Sequence, residues 1–367
     1  MKILIINNSG LISQNNGLYI FKADGEVLEY LKKSGHEVEI LQRKTVTDKK
    51  TVATFNVLEH GIKATAIKTF KPKILNYLYC YLIGIWRILH NDFVYIYFPN
   101  NFKWLGLIAK LLGKEYGLYL RGSEGIESKT SKFLYKHAKA VFCVSPLFTE
   151  IVNKSGGKGI DKKPEMSFDY NDIVRNREYK PKNKYSILYL GRIDLDKGLI
   201  ELLDALKIVK DKGFNLKLDF VGDGIPLELL KTKSEDLNIN EFVTFHGMIM
   251  EKEKIKQFYL NSDVYVLPTY HEGFARTLCE SMIFGTPVIT TFVGGIPGFM
   301  QEDVNSLRIE PKSVESIVEK LIYAMNNYEK MGELAKNGTI TAEKIVDPSR
   351  PSHAEQINML LKGEYNA

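Results

Sequence analysis

The sequence predicts an α/β protein made of two doubly wound domains, and three observations carry that expectation. Short apolar runs rich in Ile, Val, Phe and Tyr alternate with longer segments of helical spacing, which is the rhythm of βαβ units in parallel sheets. The rhythm halts in two polar stretches, "NKSGGKGIDKKPEM" and "NREYKPKNKYS", and restarts after residue 184; runs of this composition connect elements. A chain of 367 residues is too long for one compact core and fits two domains of ordinary size.

In the first half, "KILIIN" (2–7), "EVEIL" (37–41), "FVYIYF" (93–98), "YGLYLR" (116–121) and "AVFCVS" (140–145) read as buried strands. A helical pattern over 21–34 runs out at "SGHEV". The second half repeats the theme with "SILYLG" (186–191), "KLDFVG" (217–222), "FVTFHG" (242–247), "VYVLP" (264–268) and "PVITT" (287–291). The domains are expected at 1–175 and 185–345, with a C-terminal helix over 350–367 packing back on the first. The apolar, aromatic segment 74–89 falls short of the roughly 20 residues a spanning helix needs and contains Asn76 and Arg87. It is expected to be a helix packed on the N-terminal sheet, with interfacial contact through its basic, aromatic end as the alternative.

Hydrophobic content of 44% with 26% charged residues is that of a folded soluble domain. Cys80, Cys143 and Cys279 lie scattered in apolar runs, none at metal-ligand spacing, which suits a reducing cytoplasm. The apolar run of "MKILIINNSG" is too short for a signal peptide. Residues 1–150 carry 21 Lys and Arg against 12 Asp and Glu, leaving the remainder slightly acidic. A basic first half points to an anionic partner such as phosphate, nucleic acid or a lipid surface, or simply to a solvated face.

Ligands of open α/β sheets gather at the carboxyl ends of strands, so the strand–helix junctions are where chemistry is expected. The first junction of the second domain reads "YLGRIDLDKGLIELLDAL". Gly191 closes the strand, Arg192 and Lys197 flank a short loop, and Gly198 precedes a helix. Two cations beside a helix N-terminus suit a diphosphate, though two solvated surface cations are the plain alternative. Asp194 and Asp196 form a D-x-D that could hold a divalent metal, but the flanking cations make one redundant, so no metal site is expected.

A later junction is "HEGFARTLCESMIFGTPVITTFVGGIP" (271–297), with Glu272 and Glu280 eight positions apart. A helix is expected over 275–284 with Gly285 as its stop. Glu272 then lies in the loop and Glu280 about a turn and a half inside the helix. The amides of Phe274, Ala275, Arg276 and Thr277 become the unsatisfied donors of the helix start. Glu280 could accept from a vicinal diol, or be a surface carboxylate; Glu272 could line a ligand, or serve only the helix dipole. His246 could reach a base-binding loop or be a buried or capping histidine, and His271 could reach the site.

With these motifs in order, the chain resembles the retaining, nucleotide-sugar-dependent glycosyltransferases of the GT-B fold, the family-four-like glycosyl transferases group 1. "GRIDLDKG" (191–198), "DFVGDGIPLELL" (219–230), "VTFHGMI" (243–249) and 272–297 carry the resemblance. "SGHEVEI", "NDFVYIYFP" and "KAVFCVSPLF" extend it over nearly the whole chain. It implies two Rossmann-like domains facing a cleft, the C-terminal one binding a nucleoside diphosphate sugar of UDP or GDP type and the N-terminal one the acceptor. Arg192 and Lys197 would stabilise the leaving diphosphate, with Gly191, Gly273 and the amides of 274–277 around it. Glu272 would touch the sugar and Glu280 the ribose. No metal and no cofactor beyond the donor is implied.

The resemblance further implies transfer with retention to a glycan or lipid-linked acceptor in bacterial surface polysaccharide assembly. From the cysteines and the N-terminus the expected place is the cytoplasm; the basic first half leaves peripheral contact at an anionic membrane surface open, and no nucleic acid partner is expected. Three positions depart from the family pattern. "NNG" (15–17), with Gly17, stands for a Gly-Gly loop, Arg121 in "YLRGSEG" stands for a His, and Ala275 for a Gly. Arg121 points to a different or acidic sugar, or to another acceptor contact. A nucleotide-sugar epimerase of the same shape and a non-catalytic nucleotide-sugar-binding protein are the competing readings.

Overall fold

The computed structural model describes residues 1–14, 16–47 and 53–365. The chain divides into unit 1, Met1–Glu165 together with Pro351–Ala367, and unit 2, Met166–Arg350. Both are α/β sheets flanked by helices, parallel throughout in unit 2 and parallel except at one hairpin edge in unit 1, so the α/β fold class with two Rossmann-like units holds.

Unit 1 starts with β1 (Lys2–Ile6), whose Ile3 to Ile6 are all buried. A parallel strand covered on both faces needs a continuous apolar run of this kind. A hairpin follows, β2 (Leu11–Gln14) and β3 (Gly17–Ile20), then α1 (Lys22–Lys33). β4 (Glu37–Val46), β5 (Phe55–Asn56), β6 (Lys63–Ile67) and α2 (Lys73–Leu89) come next. The unit continues with β7 (Phe93–Phe98), α3 (Leu105–Leu111), β8 (Glu115–Leu120), α4 (Lys129–His137), β9 (Val141–Cys143), α5 (Pro146–Lys154) and β10 (Gly159–Asp161). The order β10-β9-β8-β7-β1-β4 is parallel throughout. β4 pairs with β6 along Glu39–Arg43 and with β2 beyond it.

The hairpin departs from the expected glycine loop after the first strand. Asn16 takes the left-handed turn at φ +60, and Gly17 opens a strand paired to Gln14. A side chain at Gly17 would run into Tyr19 and Asn56. This glycine therefore serves strand packing; Asn15 of the same "NNG" lies outside the described residues.

Unit 2 holds β11 (Tyr185–Leu190), α6 (Leu199–Asp211), β12 (Leu216–Val221), α7 (Leu227–Asp236), β13 (Val243–Phe245) and α8 (Lys252–Asn261). It closes with β14 (Val264–Leu267), α9 (Arg276–Ile283), β15 (Val288–Thr291), β16 (Leu307–Ile309), α10 (Val314–Asn326) and α11 (Tyr328–Val346). Its order, β13-β12-β11-β14-β15-β16, is the Rossmann order with the reversal between β11 and β14.

The unit boundary falls earlier than the expected 175–185, because Phe168 and Ile173 are buried in the core of unit 2. Phe168 packs edge-on against Phe284 at 4.6 Å, and the Val174 amide donates to Ile283 O at 2.8 Å. The polar linker is also tied down: Arg177 donates to the carbonyls of Tyr259 and Phe284, and Tyr179 to Gly285 O.

The last helix, α12 (His353–Lys362), belongs to unit 1. Ser352 and Glu355 form a capping box at its start, and three polar contacts fasten it. His353 Nε2 lies 2.7 Å from the Tyr95 hydroxyl, Asn358 Oδ1 2.9 Å from His36 Nε2, and Gln356 donates to Asp161 O at 3.0 Å. Burial, with Lys162 and Arg121 nearby, holds the His353 imidazole well below its ordinary pKa, so it is neutral in the fold. Its unfolded counterpart takes a proton below about pH 6.5, so this stabilisation is present above that pH and is lost as pH falls. The urea midpoint is therefore expected to drop between pH 7.5 and 5.5, and to drop less in His353→Gln.

Candidate functional site

The reversal of strand order in unit 2 opens the sheet between the carboxyl ends of β11 and β14. The two motif loops start from those ends, which is why residues 75 positions apart meet. Gly191 continues β11 and donates to Val221 O, while the Ile193 amide donates to Asp223 O at 3.0 Å. The "GRID" loop is thus pinned to the "VGDG" loop after β12. Asp194 then caps a 3-10 turn, Leu195–Lys197, which aims Lys197 back over the sheet.

Gly198 ends that turn at φ +67, and a Cβ there would lie 2.2 Å from Pro268 O at the end of β14. Only a glycine permits both the conformation and the approach. On the far side, a Cβ on Gly294 would lie 1.8 Å from Glu272 O, and the Gly295 amide donates to that same carbonyl. The backbones around Lys197 and Glu272 are therefore held by direct main-chain contact.

Lys197 is only 8% exposed. Its Nζ donates to Glu272 Oε1 at 2.7 Å and lies 3.4 Å from Thr269 Oγ1 and His271 O. Glu272 is itself largely covered. The cation and the carboxylate, read from sequence as contacts to two different parts of a ligand, are one ion pair. Arg192 remains exposed, 3.3 Å from Asp194, and Tyr189 donates to the Arg192 carbonyl at 2.6 Å.

Ala275 is the N-cap of α9 and supplies no side-chain cap. Among the described residues, the amides of Arg276 and Thr277 have no backbone acceptor. They point outward from the helix start with its partial positive charge. Gly273 and Phe274 complete the turn, with Phe274 against Phe299 at 5.0 Å. The Tyr265 hydroxyl lies 2.6 Å from Thr277 Oγ1 and 3.0 Å from Leu190 O, tying α9 to the end of β11.

Glu280 is 5% exposed, so it is no surface carboxylate. The Tyr259 hydroxyl donates to its Oε2 at 3.0 Å, Ser167 lies against it, and burial raises its pKa. Sequence reasoning did not reach Tyr259, Ser167 or Thr269. Their signal is tertiary, since each sits far along the chain from the carboxylate or cation it touches.

Asp194 serves as a cap, and Asp196 Oδ1 is buried without a partner. Among the described residues, no group of three His, Cys, Asp or Glu is arranged for a metal ion. His246 lies 2.7 Å from Asp219 Oδ1 and packs on Phe258. His271 is exposed and contributes its carbonyl to the Lys197 cluster.

Gly17 and Arg121 belong to unit 1. Arg121 Nη1 is 3.1 Å from both carboxylate oxygens of buried Asp24, which also accepts from Asn7. Its guanidinium lies 5.6 Å from the rings of Tyr97 and Tyr119. Arg121 is thus committed to an internal pair.

A cavity of about 590 Å³, not foreseen from sequence, lies at the carboxyl ends of β1, β4 and β7, the strand-order reversal of unit 1. Asn8, Arg43, Asn100, Lys103 and Ser131 are among its lining residues.

Residues 171–341, a little under half of the chain, match the family model of glycosyl transferases group 1. The chain is 28% identical over 177 residues to the capsular polysaccharide biosynthesis glycosyltransferase CapM of Staphylococcus aureus, covering 47% of this chain and 45% of that one. It is 27% identical over 230 residues to the putative teichuronic acid biosynthesis glycosyltransferase TuaC of Bacillus subtilis, covering 60% and 54%. The chain spans about a third to a half of the length of the first curated relatives it matches. In fold it is similar to Anabaena HepE in complex with UDP, with a TM-score of 0.67 at 19% identity and 99% of each chain covered. HepE was also solved with UDP-glucose. Structural neighbours of this chain are GT-B glycosyltransferases.

Replacing Gly198 by Ala forces a β-carbon onto Pro268 O in a left-handed conformation. Urea unfolding of Gly198→Ala is expected to show a loss of about 2–4 kcal/mol.

Proposed function

We propose that the protein is a retaining glycosyltransferase that moves a sugar from a nucleoside diphosphate donor to a glycan or lipid-linked acceptor. The observation that carries this is the buried Lys197 ammonium, clamped between two strand ends by Glu272, four residues before the first residue of α9, whose start has no side-chain cap. A fixed cation beside two outward amides is complementary to a diphosphate whose charge grows as the glycosidic bond breaks. Glu272 keeps Lys197 in place and, on this reading, offers its carboxylate to hydroxyls of the donor sugar. Exposed Arg192 adds a planar fork to the same phosphates.

Glu280 would take the ribose. A diol donating to its carboxylate stabilises the charged form and offsets the burial that now raises its pKa. Retention fits attack on the face from which the diphosphate leaves, the phosphate oxygen accepting the acceptor's proton, so no protein nucleophile is required. Lys197 and Arg192 meet the phosphate charge, which gives a metal no role in the step.

The named relatives in capsular and teichuronic acid biosynthesis support an acceptor from surface polysaccharide assembly. The UDP and UDP-glucose complexes of HepE support a nucleotide-sugar donor, UDP-linked in the first instance. The unit 1 cavity with Arg43 and Lys103 is suited to an anionic acceptor group. The expected place is the cytoplasmic face of a membrane.

Incubation with a panel of nucleotide sugars and acceptors tests the reading. Transfer with the donor's anomeric configuration kept, seen by NMR of the product, is the expected result; epimerised donor without transfer, or binding without turnover, refutes it. Lys197→Ala is expected to lower kcat at least about a hundredfold while remaining folded, since a charge-stabilising group in a covered site contributes several kcal/mol. EDTA is expected to leave the rate unchanged; a loss restored by Mg²⁺ would return Asp194 and Asp196 to the mechanism.

A further inference from the structure

α2 inverts the usual layout of a surface helix. Such a helix buries an apolar stripe and turns its polar residues to water. Here the inward stripe is Asn76, Cys80, Gly84 and Ile88. Beyond its first turn, two polar members face the protein: Asn76 Oδ1 accepts from the Phe70 amide, and Arg87 pairs with Glu39 at 3.1 Å. The outward face is Ile74, Leu75, Leu78, Leu82, Trp86 and Leu89, each at least half exposed. Phe70 and Tyr79, packed edge to face at 5.5 Å, widen it at one end. Trp104 and Leu111, both exposed, come from α3 and its approach, and α3 packs beside α2.

A contiguous exposed patch of this kind marks an interaction surface. The surrounding charge selects the partner. From Lys63 to Lys114 there are eight Lys and Arg and a single acid, Asp92, and Lys68, Lys71 and Lys73 stand exposed at the start of α2. Apolar and aromatic side chains rimmed by cations suit an interface of acyl chains below anionic headgroups. A protein partner would have to cover the same leucines while matching an almost uniformly basic rim. No helix among the described residues is long and apolar enough to cross a membrane. The 17 residues of α2 extend about 25 Å, short of the roughly 30 Å hydrocarbon core, and suit lying in its plane.

We infer that the outward face of α2 docks on an anionic lipid bilayer and lies in its interface. The docked helix holds the unit 1 cavity at the membrane. Arg43, which lines the cavity, has its guanidinium 5.2 Å from the Tyr77 ring on α2. Tyr81, also on α2, donates to the carbonyl of Asn101, another lining residue. A headgroup phosphate or lipid-linked glycan therefore meets the cavity one side chain away from the bilayer. This docking deepens the lipid-side acceptor reading and rests on it for its role. Vesicle binding needs no sugar donor, so either can fail without the other.

The test is flotation of the full chain with phosphatidylcholine vesicles, with and without phosphatidylglycerol. Wild type is expected to float with the anionic vesicles and to be released by high salt. Leu78→Glu/Leu82→Glu, at two well-exposed positions, is expected to bind at least about tenfold more weakly with an unchanged thermal midpoint. The only two tryptophans, Trp86 and Trp104, both lie at this face, so their emission is expected to shift to the blue on anionic vesicles. Equal flotation of wild type and double variant overturns the inference. So does a wild-type dimer that the same substitutions dissolve while wild type ignores vesicles, which would make the face a contact between copies.

Discussion

The ion pair between Lys197 and Glu272 is possible only because two main chains can touch. Gly198 lies against the carbonyl of Pro268, and Gly294 against that of Glu272, at separations no β-carbon could occupy. Those contacts bring the ends of β11, β14 and β15 into one layer and leave no room for side chains to separate them. The Lys197 side chain on that layer is shielded from water on most sides and lies 2.7 Å from the Glu272 carboxylate. The Lys197 side chain is thus held in position by the protein itself, which is the kind of preorganisation a charge-binding site requires.

The same logic shapes unit 1. Its strand order also reverses, between β1 and β7, and the reversal again coincides with a cavity at the carboxyl ends. The chemistry placed there differs. Unit 2 offers a buried cation and helix amides, whereas unit 1 offers amide, hydroxyl and cationic side chains around a cavity of about 590 Å³. The excess positive charge of the first 150 residues belongs to that second setting, as does the apolar face of α2.

The fold class was legible because buried parallel strands announce themselves as short apolar runs; β1, β7, β11 and β12 fall within a residue of where periodicity puts them. The junction residues Arg192, Lys197, Glu272 and Glu280 were legible for a related reason, since glycines, charges and helix starts cluster there. Contacts between distant residues were not legible. Nothing local in the sequence says that Lys197 bonds Glu272, or that Tyr259 reaches Glu280. β2 and β3 escaped notice because their side chains are only partly buried and carry little alternation. Arg121 looked available from its motif, but its partner Asp24 lies 97 positions away. The segment around Arg177 was read as a connection, which it is, but the carbonyl groups its polar side chains bind were not legible, because they lie about 80 to 110 positions further along the chain.

The last helix gives unit 1 an order of assembly. Unit 2 is one uninterrupted stretch, whereas unit 1 includes α12, which follows the whole of unit 2 in the chain. On a ribosome the first 165 residues emerge with the seat for His353 beside Tyr95, Tyr119 and Phe142 still vacant. Domains form in the order their residues emerge, so the later unit can complete its sheet before the earlier one closes. Synthesis must pass residue 350 before the first unit has its full interior. A chain stopped short of that point would carry a finished unit 2 joined to an unfinished unit 1.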